Sequence, residues 1–534
     1  MEKINRHIVH RFNLEMNTGR EQLAYSLHSR LDYFLNDDLL PKFEKLFDRA
    51  SSPDQIKRFD SIDLEINMDA ADNLTDVSDE IIRTLQAKIE AADFAASSLP
   101  EEIDHEIFFN PDEPDIRRQY QQIEKQIIQK ARQLNPETNL HEIFVHFLET
   151  GQILWYGSPT ALKDYILSIE NAPEIFPDYP TAQLKEVFRV NSKALNRFFH
   201  QMSPAFIQRF ILRLSALQST NIPERLVRLP IGQHVMKKLV FRSVIIRLID
   251  PNYRIREKEL RQISIELLAE KQATKRTAIA LQIVELFQSI LLEVAESSGK
   301  ITAAGSLLME LVLAKNQPAH SQKPSEQVRR NDYEETVKSG KSTKAELFEK
   351  QTDVERDDDR FSDFEKDSQV EIYIQNAGLI LTHPFLWNFL TNLKCTDGKN
   401  QLLPEKTFKA IHLLHYLASG KENDFEFNMA FEKFLCGVPQ EMTVDREIAI
   451  SGEEKLECDN LLRTIIGYWP ALKNTSPDGL RQLFFQRNGK LDLQKFPPKL
   501  YVERKAQDIL LESLEWNISI VKLPWMTELL FVEW

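Results

Sequence analysis

The chain has 534 residues, of which 42% are hydrophobic and 28% charged, and its formal net charge is −14. This length allows about two to four domains with ordinary apolar cores. The acidic balance argues against nucleic acid or an anionic membrane surface as the main partner, because both require an exposed basic face.

Other features of the composition argue against a membrane span and a disulfide framework. No stretch approaches the roughly 20 apolar residues that cross a bilayer, and Met1–His10 lacks the apolar centre of a signal peptide. The three cysteines, Cys395, Cys436 and Cys458, are too few and too scattered for a disulfide framework. We therefore predict a cytoplasmic protein. Glycine is scarce, at 15 residues, so a mainly α fold is expected.

The first predicted unit, residues 1–98, combines strands with helices. Apolar residues alternate with polar ones from Ile8 to Met16 and again from Ile56 to Ile66, which is the period of a half-buried strand. Between and after these stretches, apolar residues recur at steps of three and four, which predicts helices. We therefore expect a compact α+β unit at the N-terminus, with a sheet of at least two strands.

Residues 115–314 form a predicted helical domain, which follows an acidic, proline-bearing linker over 99–114. One of its helices carries His141 and His146 and ends at Gly151, a capping glycine. The two histidines could suggest a metal site. However, metal-binding helices use a spacing of four, which puts both imidazoles on one face. A spacing of five favours a structural role.

Residues 315–369 differ sharply in composition. Asn, Gln, Ser, Lys and Glu dominate, few aliphatic residues remain, and Asp357–Asp359 forms an acidic block. Such a segment buries too little apolar surface to offset the conformational entropy that it would lose on folding. We therefore predict a disordered or weakly helical linker between two globular regions. The glycine and closing glutamate of a calcium-binding EF-hand loop are absent.

Residues 370–534 form a predicted C-terminal α+β domain. It opens with the apolar run Gln375–Leu386, which is interrupted by His383–Pro384. The residue before a proline is disfavoured in the helical region, so two helix pieces are expected to meet there. Four further helices are predicted over 408–420, 425–436, 453–469 and 476–488. Alternating apolar residues in the tail then predict a small antiparallel sheet.

Candidate chemical residues in this domain favour structural roles. His412 and His415 lie three apart on one predicted helix, without a carboxylate or cysteine placed in sequence to complete a metal site. Cys436 lacks the pattern of a nucleophile elbow and a fixed base, and a free cysteine is commonly a small buried hydrophobe. We therefore predict no catalytic residue, no metal, no cofactor and no small-molecule substrate.

Several motifs then follow one another in a defined order. The first is Tyr373–Leu379, and the last is Pro524–Met526 before a terminal Val532–Trp534. We call the single residues that carry these motifs the signature residues: Asn376, Gly378, His383, Pro384, Gly420, Cys436, Gly437, Pro439, Trp469, Ser476, Arg481, Arg487, Gly489, Trp516, Pro524 and Trp525.

Each motif alone is weak, but the ordered set resembles the tape measure protein family of contractile injection systems, the phage-tail-like particles of bacteria. Phe147–Gly151 followed by Trp155 agrees with that family, so the resemblance covers nearly the whole chain apart from the linker. Two departures are visible. Leu514–Trp516 stands where Leu-Pro-Trp is expected, and the segment near Trp155 lacks a proline.

The resemblance implies a structural protein without catalysis. Such a protein lies in or along the growing tube, sets its length, and contacts tube, baseplate or cap proteins of the particle. It implies the cytoplasm during assembly and the inside of the tube afterwards as locations. A wholly helical chain of this length would reach about 800 Å. The part whose length could vary without harming either core, Lys315–Lys366, spans at most roughly 170–190 Å.

Two alternatives stay open at this point. An assembly adaptor or chaperone of the same particle would bind tube or baseplate proteins without measuring anything, and two globular ends with a short spacer fit it slightly better than they fit a ruler. An enzyme delivered as cargo is the other alternative. No metal-ligand spacing, nucleophile elbow or phosphate-binding loop in the sequence supports an enzyme.

Overall fold

The computed structural model describes residues 7–10, 12–15, 30–51, 56–59, 61–66, 74–97, 132–134, 136–171, 178–217, 222, 234–250, 253, 259, 262–263, 267, 273–291, 371–472 and 474–534. They are mainly helical, with one two-stranded and one five-stranded sheet, which confirms the predicted fold class. They pack as two units, Met1–Ile143 and Phe144–Trp534. The four domain ranges derived from composition stay predictions, and the predicted linker lies outside the described residues.

The α-helices are α1 (Leu40–Ala50), α2 (Leu74–Ser97), α3 (Pro136–Thr150), α4 (Pro159–Asn171), α5 (Asp178–Val190), α6 (Ser192–Gln201), α7 (Pro204–Leu217), α8 (His234–Ile249), α9 (Ala273–Leu291), α10 (His383–Asn392), α11 (Thr407–Ser419), α12 (Ala430–Leu435), α13 (Gly452–Tyr468) and α14 (Pro477–Leu480). The strands are β1 (Ile56–Arg58), β2 (Arg132–Leu134), β3 (Glu371–Ile374), β4 (Gly489–Asp492), β5 (Lys499–Val502), β6 (Ile520–Val521) and β7 (Leu530–Glu533).

The first unit has the predicted α+β character, but of the two strands described there only β1 comes from a predicted segment. β1 pairs antiparallel with β2, which comes from beyond residue 98. The predicted strand over Ile8–Met16 is wrong for its described residues, which have no regular secondary structure. Among the described residues of 56–66, only the first three form a strand. Alternation indicates half-burial, but it does not identify a hydrogen-bonding partner. The apolar core lies instead between the helices, where Phe34 and Leu39 meet Ile81 and Leu85.

The helical part of the second unit is held by aromatic contacts between neighbouring helices. The ring of Phe198 on α6 lies 5.1 Å from that of Phe188 on α5 and 5.0 Å from that of Phe210 on α7. The predicted capping glycine, Gly151, follows α3 with φ +82°. Its amide donates to the carbonyl of Phe147 at 2.8 Å, so the helix end is closed as the sequence indicates.

The apolar run after residue 375 is broken where the sequence predicts, but the conformation at the break differs. A 3-10 helix over Ala377–Thr382 leads directly into α10, whose first turn contains Pro384. His383 keeps helical dihedral angles, φ −52° and ψ −36°, so the expectation that proline pushes it out of the helical region is wrong. Proline is tolerated in a first turn because its missing N–H would have no partner there.

Most other predicted helices of residues 371–534 are present with shifted ends. Residues 425–436 divide into a 3-10 turn over Glu426–Met429 and the short α12. Residues 476–488 divide into α14 and a π-helical turn over Arg481–Phe485. In α13, Ser451 and Glu454 form a capping box, with each side chain accepting the other's backbone N–H. Local helical periodicity therefore located these segments without resolving their helix type.

The five-stranded sheet has the order β3-β4-β5-β7-β6, and all neighbours are antiparallel except β5 and β7. The sequence predicted a purely antiparallel sheet and missed β3. One face of the sheet packs on the apolar core of residues 371–534. Within the described residues, every fully buried member of that core lies between Ile372 and Val532. This region therefore closes its own apolar core.

Candidate functional site

Two signature glycines allow backbone segments to approach closely beneath the five-stranded sheet. A Cβ atom built on Gly378 would lie 1.7 Å from the carbonyl oxygen of Phe484. A Cβ atom on Gly489 would lie 2.5 Å from the Cβ of Ala377 and 2.8 Å from the carbonyl oxygen of Tyr501. Real Cβ atoms do not approach other heavy atoms so closely. At both positions, therefore, only glycine fits this packing.

The three signature tryptophans each use their indole N–H to hold a carbonyl from a distant part of the region. Trp469 donates to Leu510 at 2.9 Å, Trp516 donates to Leu381 at 3.0 Å, and Trp525 donates to Leu435 at 2.7 Å. A buried tryptophan normally needs such a partner for its N–H. These residues connect the apolar run after residue 375, the α12 segment and the C-terminal tail.

The two signature arginines lie inside the region. Arg487 is fully buried, and its Nη2 donates to Asp508 Oδ1 at 2.8 Å. Arg481 donates to Asp478 at 2.7 Å and to Asp459 at 3.1 Å. Its Nε also donates to the carbonyl of Leu417 at 3.2 Å. Both guanidinium groups therefore bind intramolecular acceptors.

The other signature residues lie at helix ends and turns of the same region. Ser476 caps α14 by accepting the amide of Gly479 at 3.0 Å. Gly420 and Gly437 have positive φ angles directly after α11 and after the α12 segment. Burial lowers the pKa of His383, whose Nδ1 lies 3.1 Å from the carbonyl oxygen of Ile380. Of the remaining five, Asn376 and Cys436 are buried, Pro384 lies in the first turn of α10, and Pro439 and Pro524 are exposed residues at turns.

A second set of residues, which the sequence did not single out, forms a buried ionic cluster centred on Glu426. Arg197 of α6 is completely buried, and its Nε lies 3.3 Å from Glu426 Oε2. Its two terminal nitrogens donate to the carbonyls of Leu148, at 2.6 Å, and Glu441, at 2.7 Å. Lys433 donates to Glu426 Oε1 at 2.8 Å. The carboxylate of Glu426 therefore binds two buried cations.

Further ion pairs lie beside this cluster. Lys163 of α4 donates to Asp424 Oδ1 at 2.9 Å, and Arg446 lies 3.1 Å from Glu170 at the end of α4. The side-chain amide of Gln201 both donates and accepts a hydrogen bond. Its Nε2 donates to the carbonyl of Val444 at 2.7 Å, and its Oε1 accepts the amide of Glu426 at 3.0 Å. We call the contacts between residues 147–203 and 424–446 the polar junction.

One apolar contact and one tight approach complete the polar junction. The rings of Phe147 and Phe427 meet edge to face at 5.0 Å. A Cβ atom on Gly151 would lie 2.9 Å from Glu426 Oε1 and 3.0 Å from Arg197 Nη2. The motif Phe147–Gly151, which carries part of the family resemblance, therefore ends against the buried charges. Among the residues of the polar junction, only this motif was recognised from the sequence. The ionic partners that meet across the polar junction are more than 200 residues apart in the chain.

His415 extends the polar network into the C-terminal region. Its Nδ1 lies 2.9 Å from Glu432 Oε1, which also accepts a hydrogen bond from Asn376, and its Nε2 lies 3.4 Å from Asp424 Oδ2. Burial opposes the charge, but hydrogen bonds and attraction from both carboxylates outweigh it and raise the pKa of His415 to about 9. Both carboxylates come from other segments of the chain, so the sequence next to His415 did not show them.

Burial holds the remaining titratable candidates in their neutral forms. Burial lowers the pKa of His412 to about 4, and burial also lowers the pKa of His146. Burial raises the pKa of Cys458 to about 12 and that of the Cys436 thiol well above its usual value, which disfavours the nucleophilic thiolate. Within the described ranges, no three His, Cys, Asp or Glu side chains are grouped to hold a metal ion.

Comparison with known proteins adds one finding. The family model described as contractile injection system tape measure protein matches residues 6–534. No curated protein and no solved structure matches the chain. Among the described residues, no helix is long and apolar enough to cross a membrane.

Proposed function

Because this chain belongs to the contractile injection system tape measure protein family, we propose that it is an assembly component of such a particle. It contacts the tube, baseplate or cap proteins and acts in the cytoplasm while the particle is built. The match over residues 6–534 carries this proposal, since it includes the whole C-terminal region and the polar junction. Catalysis is not part of the proposed role, because the family is structural.

The finer question is whether the chain itself measures tube length. A ruler needs two folded ends separated by a spacer whose length changes their separation. The spacer derived from the sequence, Lys315–Lys366, lies between α9 and β3 in chain order. Both of these elements belong to the unit Phe144–Trp534. While the polar junction holds residues 147–203 against residues 424–446, a shorter spacer leaves the separation of the folded parts unchanged.

This observation favours the assembly adaptor over the ruler as long as the contacts of the polar junction are closed, which we call the docked form of the chain. In the adaptor role, residues 144–291 and 371–534 present one combined surface to particle proteins, and residues 315–366 only connect them along the chain. The contact that most directly supports a combined surface is the ion pair between Arg197 and Glu426. Both of its side chains are fully buried.

A deletion in the spacer separates the two functions. Removing residues 328–353 takes away 26 positions, which correspond to about 85–95 Å of fully extended chain. The adaptor function predicts normal particle yield and unchanged tube length in electron micrographs. Tubes that become uniformly shorter would support the ruler and overturn the adaptor. A variant in which the same 26 positions become Gly and Ser keeps the length and controls for composition.

A further inference from the structure

We propose that the polar junction is separable: residues 144–291 undock from residues 371–534 while each part keeps its own folded core. The inference concerns the isolated chain and stands independently of the proposed function. It rests on where the apolar burial lies, on which groups cross the polar junction, and on how the two parts are connected.

The first step is that each part closes a core without the other. Within the described residues, all buried side chains of the C-terminal core come from the range Ile372–Val532. The helical part has its own buried aromatic cluster of Phe188, Phe198 and Phe210. Since apolar burial supplies most of the folding free energy, each part retains its main source of stability when the polar junction opens.

The second step concerns the chemistry of the crossing contacts. Most of them are charges and amides: Arg197 with Glu426, Lys163 with Asp424, Arg446 with Glu170, His200 with Asp445, and Gln201 with the backbone. The edge-to-face contact of Phe147 with Phe427 is an apolar contact beside them. Taking ion pairs out of water costs a desolvation penalty that offsets much of their attraction. Upon separation these groups regain hydration, so opening costs far less than separating an apolar interface of equal size.

The third step is the connection between the two parts. Residues 292–370 are 79 residues long in the sequence. The entropy of closing a loop grows only with the logarithm of its length, but it always opposes docking. A polar interface closed by so long a connection resembles the interfaces between domains that move relative to one another. Undocking would also allow this connection to act as a spacer, which the docked form does not permit.

Hydrogen exchange of the full-length chain at residue resolution tests the proposal without any particle. The amide of Arg446 donates across the polar junction to the carbonyl of His200 at 3.0 Å, and the amide of Glu426 donates to Gln201 at 3.0 Å. The amide of Ala377 donates to Arg487 within the C-terminal region. We expect the amides of Arg446 and Glu426 to exchange at least tenfold faster than the amide of Ala377. Both should also give the same opening equilibrium constant, because a single undocking event exposes them together.

A pair of isosteric variants sharpens this test. Glu170→Gln removes the charge that Arg446 binds and should accelerate exchange of both junction amides at least fivefold, leaving Ala377 unchanged. Glu186→Gln is the matched control, because Glu186 pairs on the surface with Arg189 of its own helix, and it should change neither rate. Exchange of the junction amides at the rate of Ala377, in the wild type and in Glu170→Gln alike, would overturn separability.

Discussion

Replacing Gly378 by alanine offers a sharp test of the packing beneath the five-stranded sheet. The new methyl group would meet three backbone atoms: the carbonyl oxygen of Phe484 at 1.7 Å, its carbon at 2.7 Å and the Cα of Phe485 at 2.9 Å. Flexible side chains can move away from a methyl group, but these atoms belong to a π-helical turn in the middle of the region. The backbone itself therefore has to shift.

The magnitude follows from the size of that shift. An ordinary non-bonded contact is about 3.5 Å, so the carbonyl of Phe484 must move by about 1.8 Å. Overpacking by a single methyl group costs about 1–3 kcal/mol where neighbours can adjust. Because all three neighbours of the Gly378 methyl are backbone, we expect a loss of about 3 kcal/mol or more.

Gly467 provides the matched control for the same substitution. It is an exposed residue of α13, and a Cβ atom built on it meets nothing within 4 Å. Gly467→Ala should therefore stabilise the helix by about 0.5–1 kcal/mol, through the lower helix propensity of glycine. The two variants share chemistry and region, but the predicted changes in stability have opposite signs.

Denaturant unfolding followed by tryptophan fluorescence is a suitable assay. Five of the six tryptophans lie in residues 371–534, so the signal reports mainly on the region that contains both glycines. We expect the midpoint to fall for Gly378→Ala and to rise slightly for Gly467→Ala. Equal midpoints for the two variants would refute the close approach of the 3-10 helix and the π-helical turn.

Two further predictions concern the buried charges. Arg197→Met removes one cation from Glu426 and should lower the free energy of unfolding by about 3–5 kcal/mol. Arg189→Met, at an exposed pair, is the control and should change the free energy of unfolding by less than about 1 kcal/mol. Similar losses for the two variants in calorimetry would contradict the buried network. His415 has a raised pKa, so its contribution is complete below pH about 6.5 and is lost as the pH rises through about 9. The difference in stability between the wild type and His415→Gln should shrink across that window, and a constant difference would argue against a charged His415.

Much of the local structure could be predicted because helices and caps depend on short-range patterns. The helix before Gly151, α11 before Gly420 and the cap at Ser476 all occur where periodicity and capping residues indicate them. Among the tail strands, β5 shows the predicted alternation, with Leu500 and Val502 buried, whereas Ile520 of β6 is exposed and its neighbour Val521 is buried. In contrast, the expected strand over Ile8–Met16 failed because alternation alone does not supply a pairing partner.

The candidate site could be predicted only in part, for a related reason. The signature residues were identified by their order along the chain, yet nothing in that order indicated that Trp516 would bind the carbonyl of Leu381. The ionic contacts of the polar junction were missed altogether. Lys163 and Asp424 are 261 residues apart, and a solvated lysine and a lysine paired with a distant carboxylate look the same in a sequence. Their pairing depends on the fold of both parts.

The sequence by itself therefore determined the helical class, most helix positions, the presence of a small C-terminal sheet and the family. These properties depend on local periodicity and on the order of residues along one chain. Only the tertiary structure decided the parallel pairing of β5 with β7, the close approach at Gly378 and the burial of Arg197 against Glu426. These depend on which distant segments meet, because hydrogen bonding and desolvation act between neighbours in space.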